Sequence, residues 1–442
     1  MTPGDFLDLI QTLFEHWWSE FTDLGDWPYG TFDSIAEYID LYPLVVCLLW
    51  CVYGLNSLVR SFWNKLSNKP LPKRLPGYTA LVPFYAEPEG AVRTARSLER
   101  VYPVPEEILL IDDGSPAGRG ADAIDLATLP PRTRIIRLED NRGKAAALNS
   151  ALHEVRSEVI LCLDADTIVH SPSLEAMLAR FVTDATVGAV TGKLWPAETR
   201  SLCNLMQALD YLAVVGLVKN AEHQWGGLMT VSGAFVTIRR AALMDVGAWN
   251  QDTATEDIDL SWRLQGAGWR LAYEWRCTAL VEMVPTWRGL WRQRRRWSRG
   301  LGHTMREQFS GALRPGATHL PICLLTLLGI GWLWATLAIG ALRIFKVVTG
   351  QFVARPEILI HLMFYFAICF GFFLCQVLIA TLLDRARWRL YPWLFLVAPL
   401  YPLYFWVISL STFVVGFPQG LLRRDGGRWR RTQRSSEFRS DP

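Results

Sequence analysis

The chain has 442 residues, 51% of them hydrophobic and 20% charged, with 45 Lys and Arg against 42 Asp and Glu. That length suits about three domains. The apolar and aromatic content excludes disorder for most of the chain, and the charged share excludes a protein lying wholly in a membrane. A soluble domain joined to membrane-embedded segments follows. The near-neutral total hides an asymmetry: residues 1–59 hold nine acids and no Lys or Arg, which leaves 45 bases against 33 acids in the rest. The eight Cys form no CxxC pair and the seven His no cluster, so no zinc spacing is present and the Cys read as reduced thiols. The acidic start, with no short apolar core before a small-residue cleavage site, predicts no cleavable signal peptide.

Within an N-terminal segment 1–40, residues 5–21 place Phe6, Leu9, Ile10, Leu13, Phe14, Trp17, Trp18 and Phe21 at helical spacing. This predicts an amphipathic helix, lying on a membrane surface or packed on protein. Residues 41–62 are apolar for the length of a transmembrane helix. Arg60, Lys65, Lys69, Lys73 and Arg74 follow with no acid before Glu87, which predicts that this end faces the cytoplasm.

Residues 63–285 read as a soluble α/β domain. Strands are expected at 78–83, 107–111, 133–138, 158–163 and 187–191, and helices near 90–100, 144–156 and 173–183. This rhythm predicts a largely parallel sheet covered on both faces, with ligands beyond the carboxyl ends of its strands. Residues 286–306 mix Trp and Leu with six Arg between 288 and 299 and predict a basic interfacial helix. Residues 319–418 hold three apolar stretches, at 319–345, 357–383 and 390–416, for two or three crossings. Pro392, Pro399, Pro402 and Pro418 suit a broken or re-entrant third stretch, which would keep the basic tail, 419–442, inside; one spanning helix would place it outside. There is no Walker A sequence, no GxGxxG after a strand and no nucleic-acid-binding signature; the Arg runs flank membrane segments instead.

Five short stretches carry chemistry. ILLIDDGSP (108–116) ends an apolar strand in Asp112 and Asp113, which is also an ordinary strand exit. EVILCLDAD (158–166) ends another in Asp164 and Asp166; strand alternation points both the same way. Two unpaired carboxylates so placed repel unless a cation such as Mg²⁺ or Mn²⁺ joins them to phosphate oxygens. In NRGKAAALN (141–149), Gly143 and Lys144 open a helix, a place that suits a phosphate or simply a solvated lysine. In TATEDIDLSWRLQ (253–265), Glu256, Asp257 and Asp259 crowd a helix start, where acids are favoured anyway, and Asp257 is the candidate general base. In the run Gln293 to Trp297 an Arg can grip a diphosphate and Trp297 can stack on a pyranose, while Arg294 and Arg295 suit lipid headgroups.

The set DDG, DAD, TED and QRRRW, in that order between membrane helices, resembles the processive, inverting family-two glycosyltransferases, among them cellulose, chitin and hyaluronan synthases. Within that family it most resembles the bacterial biofilm synthases of poly-N-acetylglucosamine. AVTGK (189–193), VSGAF (231–235), RRAALMDVGAW (239–249) and GLWRQRRRWSRG (289–300) support it over about residues 77–305. The resemblance implies a GT-A, Rossmann-like cytosolic domain in a bacterial inner membrane. It implies that Asp113, with Pro83, Tyr85 and Glu87 nearby, contacts uracil, and that Lys144 sits by the nucleotide. Asp164 and Asp166 would hold UDP through Mg²⁺ or Mn²⁺, and Ser232, Gly233 and Glu256 would shape the acceptor pocket. Asp257 would be the base, Gln293 and Arg296 would steady the diphosphate, and Trp297 would stack on the acceptor sugar. The implied partners are a UDP-sugar such as UDP-N-acetylglucosamine, the nascent polysaccharide, the lipid bilayer and a small membrane subunit, with no nucleic acid. One departure stands out: the synthases begin with a strongly apolar stretch, whereas residues 5–21 are only amphipathic. Two other readings fit the same residues: transfer of a single sugar to a lipid, and a membrane protein whose cytosolic domain senses a nucleotide without turnover.

Overall fold

The computed structural model describes residues 30–67, 71–199, 201–224, 227–313, 320–350, 356–383 and 394–422. The expected amphipathic helix at 5–21 and the tail from 423 onward lie outside them. The chain divides into two units, residues 1–46 with 328–365 and residues 47–327 with 366–442. The first is helical, and Tyr42 stacks on Trp332 with ring centroids 5.5 Å apart.

The second unit is built on strand β1 (Tyr78–Phe84), which is buried along its whole length. Its pleat sends Tyr78, Ala80, Val82 and Phe84 into one apolar core and Leu81 into another. A strand apolar on both faces belongs inside a covered parallel sheet. Accordingly β2 (Glu107–Asp112) and β4 (Val159–Leu163) flank it in parallel, and β3 (Thr133–Arg137) extends the sheet beside β2. Beyond β4 the direction changes. β7 (Phe235–Arg239) runs antiparallel to β4 and to β6 (Val187–Pro196), β8 (Arg270–Val281) runs parallel to β6, and β5 (Thr167–Val169) closes the edge antiparallel to β8. The order is β3-β2-β1-β4-β7-β6-β8-β5. The sheet is mostly parallel, as the βαβ rhythm predicts; β5, β7 and β8 are additions that the rhythm does not foresee.

Helix α1 (Gly30–Ser67) carries the first apolar stretch. Helix α2 (Pro88–Ser97) begins with proline, whose fixed φ suits a first helical turn, and packs Ala91 and Ala95 onto the first core. Helix α3 (Lys144–Leu152) lays Ala147, Leu148 and Ala151 on the second core, and α4 (Glu175–Thr183) lays Met177, Leu178 and Phe181 on the first. Each such Leu or Phe stabilises the fold by about 1.5–3 kcal/mol. Next, α5 (Leu202–Leu209) passes through a π-helical turn (Asp210–Val215) into α6 (Gly216–Gln224). Helices α7 (Arg240–Asp245) and α8 (Glu256–Gly266) add Leu243, Leu260 and Leu264 to the second core.

The basic stretch forms α9 (Trp287–Ala312). Two long apolar helices follow, α10 (Leu320–Val348) and α11 (Pro356–Leu383). The proline-containing stretch is a succession of helical pieces: α12 (Leu394–Val397), a 3-10 turn, α13 (Tyr401–Tyr404), a π-helical turn (Phe405–Leu410) and α14 (Ser411–Leu422). Among the described residues four helical runs are long and apolar enough to cross a membrane: Tyr42–Arg60, Leu202–Gln224, Cys323–Leu342 and Leu394–Leu422. Helices α9 and α14 meet backbone to backbone. A Cβ on Gly416 would sit 2.6 Å from Arg295 O, and one on Gly420 would collide with Arg299 O, so only small residues allow this approach.

Candidate active site

The carboxyl ends of β1, β2 and β4 share one rim, because the three strands are parallel and in register. At the end of β2, Asp112 is fully buried and accepts hydrogen bonds from Ser115 N (2.9 Å) and Ala121 N (2.7 Å), which shapes the turn that follows. Asp113 is also fully buried. Its Oδ1 accepts from Arg142 N at 3.0 Å and its Oδ2 from Gly143 N at 2.8 Å. Burial pushes its carboxyl up, against those two N–H groups. Besides the expected uracil contact, Asp113 thus has a structural role, holding the loop that launches α3. Gly143 caps α3 at φ +97°, a conformation that glycine adopts without strain. The Pro83–Glu87 segment lies alongside, since Asp113 N donates to Phe84 O and Ala86 N to Ser115 Oγ.

Lys144 is the centre of the rim. Its Nζ lies 2.6 Å from Asp164 Oδ1 and 2.8 Å from Glu256 Oε1, and donates to Gly233 O at 3.3 Å. Burial pulls the ammonium down, but Asp164 and Glu256 outweigh it and hold Lys144 above the usual lysine range. Lys144 in turn holds Glu256 below the usual glutamate range, against burial. Asp257 stands next to this group. Its Oδ2 accepts from Gly233 N at 3.0 Å and its Oδ1 from Ile258 N at 2.9 Å. Burial, and then Glu256, push its carboxyl up. Gly233 fits between: a Cβ there would lie 3.2 Å from both Asp257 Oδ2 and Lys144 Nζ. Ser232 anchors the same loop through its N–H to Thr191 Oγ1 at 3.1 Å. Asp259, the third acid of the helix start, turns away to Arg263 at 2.7 Å.

Two sequence-based expectations need correction. Asp164 is not unpaired, because Lys144 already faces it. Alternation does not set the directions of Asp164 and Asp166 either, because β4 ends at Leu163 and the two flank a turn closed by Thr167 N to Asp164 O at 3.0 Å. Asp166 is buried and accepts from Thr167 Oγ1 at 3.1 Å. No group of three or more His, Cys, Asp or Glu converges as a metal cage among the described residues. A pair of carboxylates at a rim still suits Mg²⁺ or Mn²⁺, which take remaining oxygens from phosphates and water. The charge balance agrees, since Asp164, Glu256 and Asp257 surround the single ammonium of Lys144.

Helix α9 is tied to this rim. Arg296 Nη1 donates to Ala254 O at 3.0 Å, just before the TED helix start. A Cβ on Gly300 would collide with Thr255 Oγ1, so α9 rests its backbone on the cap of α8. Arg294 is not at lipid headgroups. It lies 2.6 Å from Asp210 Oδ2, and Tyr401 and Tyr404 donate their hydroxyls to the same carboxylate. Its guanidinium also lies 4.4 Å from the centre of the Trp297 ring. Arg295 stands 5.1 Å over Trp291. Gln293 is half-buried on the same helix. Sequence reasoning missed Asp210, Tyr401, Tyr404 and the Thr255–Gly300 contact. An acid that is the one charge in the mostly apolar run 202–218 was the available signal for Asp210.

The model of the family described as "Glycosyltransferase like family 2" matches residues 76–300. The chain belongs to glycosyltransferase family 2. A Staphylococcus epidermidis protein named poly-beta-1,6-N-acetyl-D-glucosamine synthase is 27% identical over 402 residues, 89% of this chain and 96% of that one. A Staphylococcus aureus protein of the same name is 28% identical over 396 residues, 88% of this chain and 96% of that one. Among solved structures, a mannosyltransferase from Pyrobaculum calidifontis in complex with GDP-Man and Mn²⁺ covers 87% of this chain and 99% of its own, with a TM-score of 0.56 and 19% identity. That likeness shows the GT-A-like fold. As a family-2 glycosyltransferase, the chain has its expected functional motifs gathered on the rim and on α9, with Gly233 and Lys144 joining them.

Proposed function

We propose that this glycosyltransferase is processive and inverting, and moves N-acetylglucosamine from UDP-N-acetylglucosamine onto a growing β-linked polysaccharide at a bacterial inner membrane. The observation that carries this reading is the juxtaposition of Asp257, Lys144, Asp164 and Glu256 around Gly233. The choice of sugar rests on the names of the staphylococcal relatives. The basic residues after Tyr42–Arg60 support a cytoplasmic rim, and the apolar helices beside it support export coupled to synthesis.

Asp257 receives the proton of the acceptor hydroxyl. A new bond forms from that oxygen to the anomeric carbon as the bond to the diphosphate breaks, and the electron pair leaves with UDP. A raised carboxyl at Asp257 suits a base, because it holds a proton better than an exposed aspartate. Glu256 and Lys144 position Asp257 and keep the rim's charge in place. Arg296 adds positive charge beside the departing diphosphate, and Gln293 donates to it. Asp164 and Asp166 would hold Mg²⁺ or Mn²⁺, which when bound supplies charge neutralisation for the diphosphate; the Mn²⁺ complex of the Pyrobaculum enzyme supports a divalent ion. Trp297 would stack on the terminal sugar, and Ser232 and Gly233 would shape the acceptor pocket.

The test is the purified full chain in nanodiscs with Mg²⁺ or Mn²⁺ and a panel of UDP-sugars. The expected result is UDP release with UDP-N-acetylglucosamine, loss of release in EDTA, and a long product cut by a β-hexosaminidase. A product one sugar long would replace the processive reading with single transfer, and UDP binding without turnover would replace it with a sensor.

A further inference from the structure

Helix α9 carries Arg294 and Trp297 three positions apart, so they share one face. The Arg294 guanidinium lies 4.4 Å from the centre of the Trp297 ring. A guanidinium is planar and delocalised, so its edge can pair with a carboxylate while its face lies on an aromatic ring. Arg294 does both. Its Nη2 is 2.6 Å from Asp210 Oδ2, and the two side chains are only 13% and 7% exposed. An ion pair by itself needs no more than a cation, which lysine would supply. The contact with the indole is what calls for arginine.

Asp210 is itself held from several sides. It opens the π-helical turn Asp210–Val215, a rare geometry that is frequent at functional sites. Tyr401 donates its hydroxyl to Oδ1 and Tyr404 donates to Oδ2 at 3.5 Å. The Tyr401 ring stacks on Phe373 of α11 with centroids 4.6 Å apart, and the Tyr404 ring lies tilted 6.1 Å from that of Trp287, at the start of α9. The acid is thus framed by α11, α13 and the first turn of α9. The backbone of α9 is fixed separately at the rim, by Arg296 to Ala254 O and by Gly300 on Thr255. A fixed backbone still leaves a tryptophan several rotamers. A guanidinium anchored at Asp210 and laid on the ring selects among them.

We propose that Arg294, anchored by Asp210, is a positioning residue that orients the Trp297 ring for the acceptor sugar and so sets how long the growing chain stays bound. The proposal rests on the reading that Trp297 stacks on that sugar. It is tested with the full chain in nanodiscs, UDP-N-acetylglucosamine and a short β-linked N-acetylglucosamine oligosaccharide as acceptor. Arg294→Lys keeps a cation for Asp210 and loses the planar face. Its denaturant midpoint and its affinity for UDP should match the parent. Its KM for the acceptor should rise about five- to tenfold, the scale of one desolvated cation–π contact, with the loss in KM rather than in kcat and a shorter product. Asp210→Ala/Arg294→Leu, which removes the pair without stranding a charge, should raise the acceptor KM in the same way. An acceptor KM equal to the parent's in both variants overturns the proposal. So does a fall in kcat or stability with the acceptor KM unmoved, because the pair would then be structural only. Trp297→Ala separates the two readings. If it raises the acceptor KM and Arg294→Lys does not, the positioning role alone fails. If Trp297→Ala leaves the acceptor KM unmoved, the stacking role of Trp297 fails and the proposal falls with it.

Discussion

The protein buries two charged clusters, and they are built to different ends. At the rim, Lys144 is shared among Asp164, Glu256 and Asp257, so negative charge exceeds positive. Where α5, α9 and α13 meet, Asp210 and Arg294 form a one-to-one pair completed by the hydroxyls of Tyr401 and Tyr404. The first remains partly open, with the Asp164 side chain 24% exposed, whereas that of Asp210 is 7% exposed. A buried ion pair whose carboxylate also takes two hydroxyls serves to fix geometry. A cluster with surplus negative charge and access to solvent is poised for a cation and a substrate.

The largest effect should come from the open cluster. Asp257→Asn keeps the shape and loses the base, so turnover should drop about 10²–10⁴-fold, while calorimetry still detects UDP binding. Normal turnover in this variant would remove Asp257 from the mechanism. The closed cluster should answer in stability. Asp210→Ala strands a buried guanidinium and should cost about 3–5 kcal/mol in denaturant unfolding. Adding Arg294→Leu should recover most of that, and a double variant no better than the single one would show that the pair is not the unit.

A smaller effect is expected at the contact between α8 and α9. Gly300→Ala forces a Cβ into Thr255 and should cost about 1–3 kcal/mol. Adding Thr255→Ala should relieve part of it; no relief would place the strain elsewhere. The smallest effect concerns pH. Because burial and Glu256 raise the Asp257 carboxyl, the acid limb of kcat/KM should lie above the ordinary aspartate value of about 3.9. The sign for stability is opposite. Below that value Asp257 is protonated whether folded or unfolded; as pH rises through the ordinary and then the raised value, ionising it inside the protein lowers stability while enabling activity. Glu256→Gln should move the acid limb to lower pH, and an unmoved limb would exclude Glu256 as a cause of the shift.

Much of the fold is legible in the sequence, for physical reasons. The strands β1, β2 and β4 announce themselves as short, mostly apolar runs, because a strand covered on both faces has few polar positions to blur the signal. Strands β5, β7 and β8 are not legible in this way: β5 has three residues, and β8 carries Glu274 and Arg276 in mid-strand, where a register shift lets them pair. The DDG, DAD, TED and QRRRW stretches are legible as chemistry, but their partners are not. Lys144 looks like a phosphate ligand and proves to be shared by carboxylates about 110 and 20 residues away in sequence. Arg294 looks like a lipid contact and proves to be paired with an acid from another helix.

Residue order alone dictates the alternation of apolar runs, and with it a covered sheet beside apolar helices, because burial follows side-chain type and spacing. It also dictates which residue types stand at strand ends and helix starts. Which charges meet is left to the packing of the folded chain. Coulomb attraction and hydrogen bonding act over a few ångströms, and whether Asp210 faces Arg294, or Lys144 faces Asp164 and Glu256, depends on how separate elements pack against one another.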